Sequence, residues 1–254
     1  MSSIIWMTDP HLATPGQAQP MGVDAWPRLR AALAEAAARH AGASRAVLTG
    51  DLAQRGEPAT YAALREALAE LPMPYRLLPG NHDDRAELLA AFPDTGSHRG
   101  FVQSFEDLGD AQLLYLDTLA NDGSHHGELC GERLHWLEVR LAEADARPLL
   151  VFQHHPPFAV GIPAVDRLRL LESDPLERLL RARTAPTHLF CGHIHRSMSG
   201  RWAGHPFATL KSLHVQIALD ATAPKLQYSD EPPGYGVIEV AGDDIQVHYR
   251  DLPA

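Results

Sequence analysis

Apolar residues along this chain fall into short runs separated by longer stretches with helical spacing. Residues 3–7, 45–48, 75–78, 149–152 and 187–190 are such runs. Their length, and the turn residues that bound them, predict buried strands. Residues 24–40, 57–70, 84–91, 132–144 and 174–183 carry apolar positions at helical spacing or good helix formers, and predict helices. Pro58 sits near a first turn, where a helix tolerates it, and Pro93 stops the third helix. Residues 100–105 and 112–116 read as two strands of a hairpin around the polar turn 106–110. From Gly200 onward the helices stop, and residues 206–210, 214–219, 236–240 and 245–249 read as strands. Residues 220–234, with three prolines, predict a surface loop.

Strands that alternate with helices build βαβ units, whereas strands in succession build antiparallel sheet. The combination predicts an α/β fold, a four-layer α/β/β/α sandwich of two mixed sheets flanked by helices. Residues 1–200 would form the core, and the strand-rich residues 201–254 would complete the second sheet of the same domain. There is no internal repeat and no low-complexity segment.

Composition narrows the class. A chain of 254 residues with 45% hydrophobic and 21% charged residues has the balance of an ordinary globular protein. At this length it buries roughly 70% of its unfolded surface, so its core needs no disulfides. Its two cysteines, Cys130 and Cys191, read as free thiols, and Cys191 ends an apolar run as a small core residue. The net charge of -10 argues against a general nucleic-acid binder, which would show a basic face. It leaves room for a small phosphate substrate, because bound metal ions reverse the local field. The first residues lack the pattern of a secretion signal, and no run approaches the roughly eighteen apolar residues of a membrane helix. The expectation is a cytoplasmic enzyme without a membrane partner.

Histidine is abundant, at 15 residues, and its placement is ordered. Asp9-Pro10-His11, Gly50-Asp51, Gly80-Asn81-His82-Asp83, His154-His155-Pro156-Pro157 and Gly192-His193-Ile194-His195 each follow a predicted strand. In an open α/β sheet that edge is where ligands bind, so residues distant in sequence would converge there. The glycines before Asp51, Asn81 and His193 would let the backbone turn sharply. Carboxylates, an amide oxygen and imidazoles, with no cysteine, suit divalent Mn, Fe or Zn in a catalytic rather than a structural site. Two such ions about 3.5–4 Å apart clamp the attacking and leaving oxygens of an in-line displacement. One carboxylate must bridge them, and Asp51 stands alone on its loop.

Each motif alone has a plainer reading. Asp9-Pro10-His11 is also an ordinary turn, and Gly50-Asp51 a common turn dipeptide. Asp83 can cap the following helix. One of His154 and His155 can serve only to support the other. The joint occurrence, in order and each at a strand end, favours a metal centre.

With these residues in view, the chain resembles the calcineurin-like metallophosphoesterases, which show Asp-x-His, Gly-Asp, Gly-Asn-His-Asp/Glu, His and Gly-His-x-His in this order. Within that family it is similar to the cyclic nucleotide phosphodiesterase and glycerophosphodiesterase branch. The further carriers are His126-Gly127-Glu128-Leu129, the stretch from Phe152 to Phe158, Ser212-Leu213-His214-Val215-Gln216 and Pro232-Pro233-Gly234-Tyr235. Gly50-Asp51-Leu52-Ala53-Gln54-Arg55-Gly56 lacks the second Asp of the family's protein phosphatases.

The resemblance implies one metal on Asp9, His11, Asp51 and His195, and another on Asp51, Asn81, His154 and His193. It places His154 rather than His155 as the ligand. It implies that a metal-activated water attacks phosphorus. His82, beside Asn81, is the candidate to protonate the leaving oxygen, with Asp83 either orienting it or capping the next helix. Asn81, His82 and His214 are candidate substrate contacts. His98, Arg99, His125 and His126 sit on middle loops that would roof the site. The expected substrate is a small phosphodiester, either a cyclic nucleotide or a glycerophosphodiester. A phosphomonoesterase or nucleotide pyrophosphatase on the same centre is the second reading, and a metal-free binding scaffold the third. The strand-rich tail would pair across a two-fold axis in a homo-oligomer.

Overall fold

The computed structural model describes residues 2–253. Five strands form one sheet in the order β13-β12-β1-β2-β3. They are β1 (Ser2–Met7), β2 (Arg45–Thr49), β3 (Tyr75–Leu78), β12 (Gly234–Ala241) and β13 (Asp244–Asp251). Six form a second sheet in the order β4-β5-β6-β7-β9-β8. These are β4 (Ser104–Asp107), β5 (Gln112–Leu116), β6 (Leu149–Gln153), β7 (Thr187–Cys191), β8 (Met198–Trp202) and β9 (His205–Thr209). A two-stranded hairpin joins β10 (Gln216–Ile217) to β11 (Tyr228–Ser229).

The four layers follow from strand alternation, since successive side chains point to opposite faces. In β1, Ile4 and Trp6 face the other sheet, where they meet Leu150 and Phe152 of β6 and Phe190 of β7. Ile5 and Met7 face outward, onto the helices α1 (Trp26–Arg39) and α2 (Pro58–Leu68). In β6, Leu149 and Val151 face outward onto Trp136 and Leu137 of α4 (Gly131–Glu143) and Leu176 and Leu180 of α6 (Asp174–Arg181). Each central strand is thus buried on both faces, which is why these strands read as unbroken apolar runs. β1, β2 and β3 run parallel, as do β5, β6 and β7.

Several elements differ from the sequence expectations, among them β4, which begins at Ser104 rather than at residue 100 and takes in Glu106 and Asp107 of the expected turn. The strand-rich tail does not complete one sheet but divides between the two: β8 and β9 extend the second, and β12 and β13 pair beside β1 in the first. The reason is that β12 is apolar on both faces. Tyr235 and Val237 pack toward the helices, and Ile238 and Val240 toward the other sheet. β8, Met-Ser-Gly-Arg-Trp, was absent from the expectations because an exposed edge strand carries no apolar alternation. The strand expected over residues 214–219 shrinks to β10, whose partner β11 lies inside the expected loop. Cys130 and Cys191 are free thiols, with Cys191 in the core. Among the described residues no helix is long and apolar enough to cross a membrane.

One buried histidine ties stability to pH. His188 of β7 stacks on Phe190 (centroids 4.5 Å apart), and its Nε2 has no hydrogen-bond partner among the described residues. Burial pushes its pKa down from 6.5 to about 4. The unfolded chain therefore gains a proton near pH 6.5 that the folded chain refuses until about pH 4. The stability present above the first value is lost as pH falls toward the second, by about 3 kcal/mol in all. We expect His188→Phe to lower the midpoint of acid unfolding followed by circular dichroism. An unchanged midpoint would show that His188 contributes nothing to acid sensitivity.

Candidate metal centre

The loops after β1 and β2 zip together: Asp9 N donates to Gly50 O, His11 N to Asp51 O and Leu12 N to Leu52 O, at 2.9–3.1 Å. The loop after β7 docks on them, with His193 N donating to both carboxylate oxygens of Asp9 at 3.0 and 3.2 Å. These loops bend in a costly way. Asp9, His11, Asp51, His193 and His195 all have positive φ, between 45° and 72°, and are five of the nine non-glycine residues that do so among the described residues. Such backbone costs on the order of 1 kcal/mol or more per residue and persists where the surroundings impose it, typically at functional sites. Gly50 turns at φ 94°, as its position suggested. Gly80 and Gly192 serve close approach instead. A Cβ on Gly80 would lie 2.2 Å from Asp51 Oδ1, and one on Gly192 would lie 2.3 Å from Thr8 Oγ1.

The result is two clusters. Asp9, His11, Asp51 and His195 each bring one donor atom within 4.8 Å of the others, and so do His154, His155 and His193. Asp51 joins them: its Oδ2 is 3.4 Å from His11 Nε2 and 3.5 Å from His154 Nε2. Asn81 Oδ1 lies 3.3 Å from His154 Nε2, and His193 Nδ1 lies 3.2 Å from it. His154 therefore stands between the shared carboxylate and Asn81. His155 turns its Nδ1 to Thr118 Oγ1 at 2.9 Å, and its Nε2 has no partner among the described residues.

Partners behind the imidazoles fix their tautomers. His195 Nδ1 donates to Val215 O, His154 Nδ1 to Thr49 O and His11 Nδ1 to Gln54 Oε1, at 2.7–3.0 Å. Each ring is left with an Nε2 lone pair aimed into the cluster, as ligands of a divalent ion require. His11 Nε2 and His195 Nε2 face each other at 3.1 Å, so a proton or a cation must lie between them. In the free protein a proton fills this place. Burial opposes protonation of His195 and His154, but Asp9 raises the first and Asp51 raises the second to about 9. Burial pushes His11 and His193 down to about 3. Burial also opposes the charge on Asp9 and Asp51, but His195 brings Asp9 to about 2, and His154 and His11 hold Asp51 well below the carboxylate range. Two anionic carboxylates, an amide oxygen and converging imidazoles form a donor set that fits two divalent cations.

Residues 2–197 match the calcineurin-like phosphoesterase family. The chain belongs to this family. Its members use a dinuclear divalent metal centre, and the two clusters are candidate ligands for it. The chain is 40% identical over 246 residues to a probable cyclic nucleotide phosphodiesterase of Rhodopseudomonas palustris, covering 95% of this chain and 89% of that one. It is 32% identical to the 3′,5′-cyclic adenosine monophosphate phosphodiesterase CpdA of Escherichia coli, covering 87% and 82%. It is 30% identical to the glycerophosphodiester phosphodiesterase GpdQ of Enterobacter lignolyticus, covering 74% and 68%. In fold it is similar to a dimetal phosphatase from Danio rerio, with TM-score 0.73, 16% identity and coverage of 98% and 96%.

The remaining candidates sort by position. His82 lines the cavity over the clusters, its N donating to Asp51 Oδ1 at 2.9 Å and its Nδ1 lying 3.1 Å from Gln54 O. Gln54, which the sequence reading did not single out as a site residue, touches both His11 and His82. The spacing signal was there, since it occupies the place where the protein phosphatases carry their second Asp. His214 does not line the cavity. Its ring lies 5.6 Å from that of His11 and its Nε2 donates to Pro20 O, because the chain from Ser212 turns back under Asp9. Of the four middle-loop candidates only His125 reaches the cavity, where its Nδ1 meets Asn81 Nδ2 at 2.9 Å. His126 pairs with Ser124, His98 packs near Trp136, and the exposed Arg99 pairs with Glu132. The middle loop is anchored by Asp117, which binds Arg85 through two hydrogen bonds and lies 3.6 Å from the buried Arg133.

Asp83 takes neither role expected of it. The helix α3 (Arg85–Ala91) is capped by Asp84, which accepts from Ala86 N and Glu87 N. Asp83 instead accepts from Leu52 N, Ala53 N, Gly80 N and Tyr61 Oη, at 2.8–3.0 Å. Burial, then the charge of Asp51, raises its pKa to about 6 against these donors. It thereby clamps the Asp51 loop to the Asn81 loop. Asp83→Ala would strand three amides and is expected to cost on the order of 3 kcal/mol in urea unfolding, with Asp83→Asn milder. An Asp83→Ala protein as stable as the parent would show that the clamp is dispensable.

Proposed function

We propose that this chain hydrolyses small phosphodiesters, cyclic nucleotides or glycerophosphodiesters, at a dinuclear metal centre. The observation that carries this reading is the cavity of about 290 Å³ over the clusters, lined by His11, Asp51, Asn81, His193 and His195. Its described lining contains no lysine or arginine. A diester carries a single negative charge, whereas a monoester or pyrophosphate brings more and is commonly met by arginine. This favours the diester over the phosphomonoesterase and pyrophosphatase readings. The cyclic nucleotide and glycerophosphodiester names of the relatives support it.

Asp9, His11, Asp51 and His195 would hold one ion, and Asp51, Asn81, His154 and His193 the other, with Mn, Fe and Zn all compatible with these donors. Bound there, the ions would polarise the phosphoryl oxygens and make water acidic enough to attack at neutral pH. The chain's own contribution is positioning and proton supply. With Nδ1–H given to Gln54 O, the His82 ring keeps Nε2 free for the cavity. In its protonated form it can donate to the leaving alkoxide. Asn81 and His125 hold each other at the cavity mouth.

Metal-free protein reloaded in turn with Mn, Fe or Zn should turn over 3′,5′-cyclic adenosine monophosphate or glycerophosphocholine. It should also cleave bis(p-nitrophenyl) phosphate faster than p-nitrophenyl phosphate. No diester turnover with any of the metals would end this reading. His82→Ala should lower kcat roughly 10²- to 10⁴-fold while metal content by mass spectrometry stays at the parental level. Loss of metal in that variant would contradict the role of proton donor. Asp51→Ala, by contrast, should lose both metal and activity.

A further inference from the structure

The cavity has two unlike halves. Its floor is the polar cluster, and its wall is Val165, Leu168, Ile217, Leu226 and Tyr228. We propose that this wall seats the planar base of a nucleotide, with Tyr228 as the specificity-determining residue that stacks on it. The inference rests on the phosphodiesterase reading and selects the nucleotide from its two substrate classes.

The wall is a built feature. Ile217 and Tyr228 are cross-strand partners in the β10–β11 hairpin, so their side chains emerge on one face. Leu226 lies two residues before Tyr228 and packs with Ile217, Val165, Ile162 and Ile194. Val165 belongs to the short helix α5 (Pro163–Asp166), and Leu168 follows two residues after its end. The hairpin is tied to the metal loop, because Ile217 N donates to His195 O and Arg196 donates to Ile217 O at 2.8 Å. Tyr228 nevertheless remains 46% exposed, an aromatic surface left open beside the polar floor.

The chemistry of this wall separates the substrates. Four aliphatic side chains and one ring supply only a phenol hydroxyl as a polar side-chain atom, so glycerol hydroxyls placed there would lose water without replacement. A heteroaromatic base offers a flat π-face instead, and stacking on an aromatic side chain is sequence-tolerant and worth roughly 5- to 100-fold in affinity. A choline group is the third possibility, since its cation is attracted to an aromatic face.

Calorimetry on manganese-loaded protein separates these cases with three phosphomonoesters that share one phosphate and differ in the organic group: adenosine monophosphate, glycerol phosphate and phosphocholine. The parent should bind adenosine monophosphate roughly 5- to 100-fold more tightly than glycerol phosphate. Tyr228→Ala should remove most of that preference, and Tyr228→Phe should keep it. Equal Kd values in the parent, tighter binding of phosphocholine, or a preference unchanged in Tyr228→Ala would each overturn the proposal. Diester turnover by the same preparation reads the underlying function separately. Turnover without base preference removes the seat alone, and base preference without turnover removes the phosphodiesterase reading alone.

Discussion

His11 Nε2 and His195 Nε2 point at each other across 3.1 Å, each with its second ring nitrogen committed to a donor bond elsewhere. Two lone pairs at that separation need a cation between them, whether proton or metal. Around this constraint the rest of the centre is arranged. Asp9 and Asp51 supply negative charge at full burial, which a low-dielectric interior tolerates only beside positive partners. The left-handed backbone at five of the donor residues is the conformational cost of the convergence. It is borne by two sheets whose parallel strands end at the same edge.

Precision then comes from groups outside the two clusters. Thr49 O, Val215 O and Gln54 Oε1 choose the tautomers. Asp83 clamps two ligand loops through their amides. Asp117 gathers Arg85 from α3 and Arg133 from α4, and both guanidinium groups stack on Phe101. This knot fixes the middle loop, so that His125 can meet Asn81. A buried ion pair of this kind adds little net stability, but loss of one partner leaves charges stranded. It therefore serves placement more than stability.

The cavity inherits its character from two sources. Its floor comes from the strand ends and is polar because the centre is. Its wall comes from the β10–β11 hairpin and the α5 turn and is apolar. In the proposed reading, chemistry and recognition reside on different parts of the chain. A substitution in the hairpin can change what is bound without altering the donor set.

The sequence by itself determined the layers and pointed to the candidate donors. Strands buried on both faces read as apolar runs, so β5 was located to the residue, and the edge strand β3 was too, from its apolar end at Leu77 and Leu78. Asp9, His11, Asp51, Asn81, His82, His154, His193 and His195 were legible because each follows such a run. β8 and the hairpin were not legible, because their short strands carry no apolar alternation. Only the tertiary structure decided that Asp83 clamps loops rather than caps a helix, that His214 lies behind His11, and that Gln54 touches two histidines. It also decided that β12 enters the first sheet. These are contacts across long sequence separations. A local pattern states which face a residue prefers, and only the packed chain states which partner it meets there.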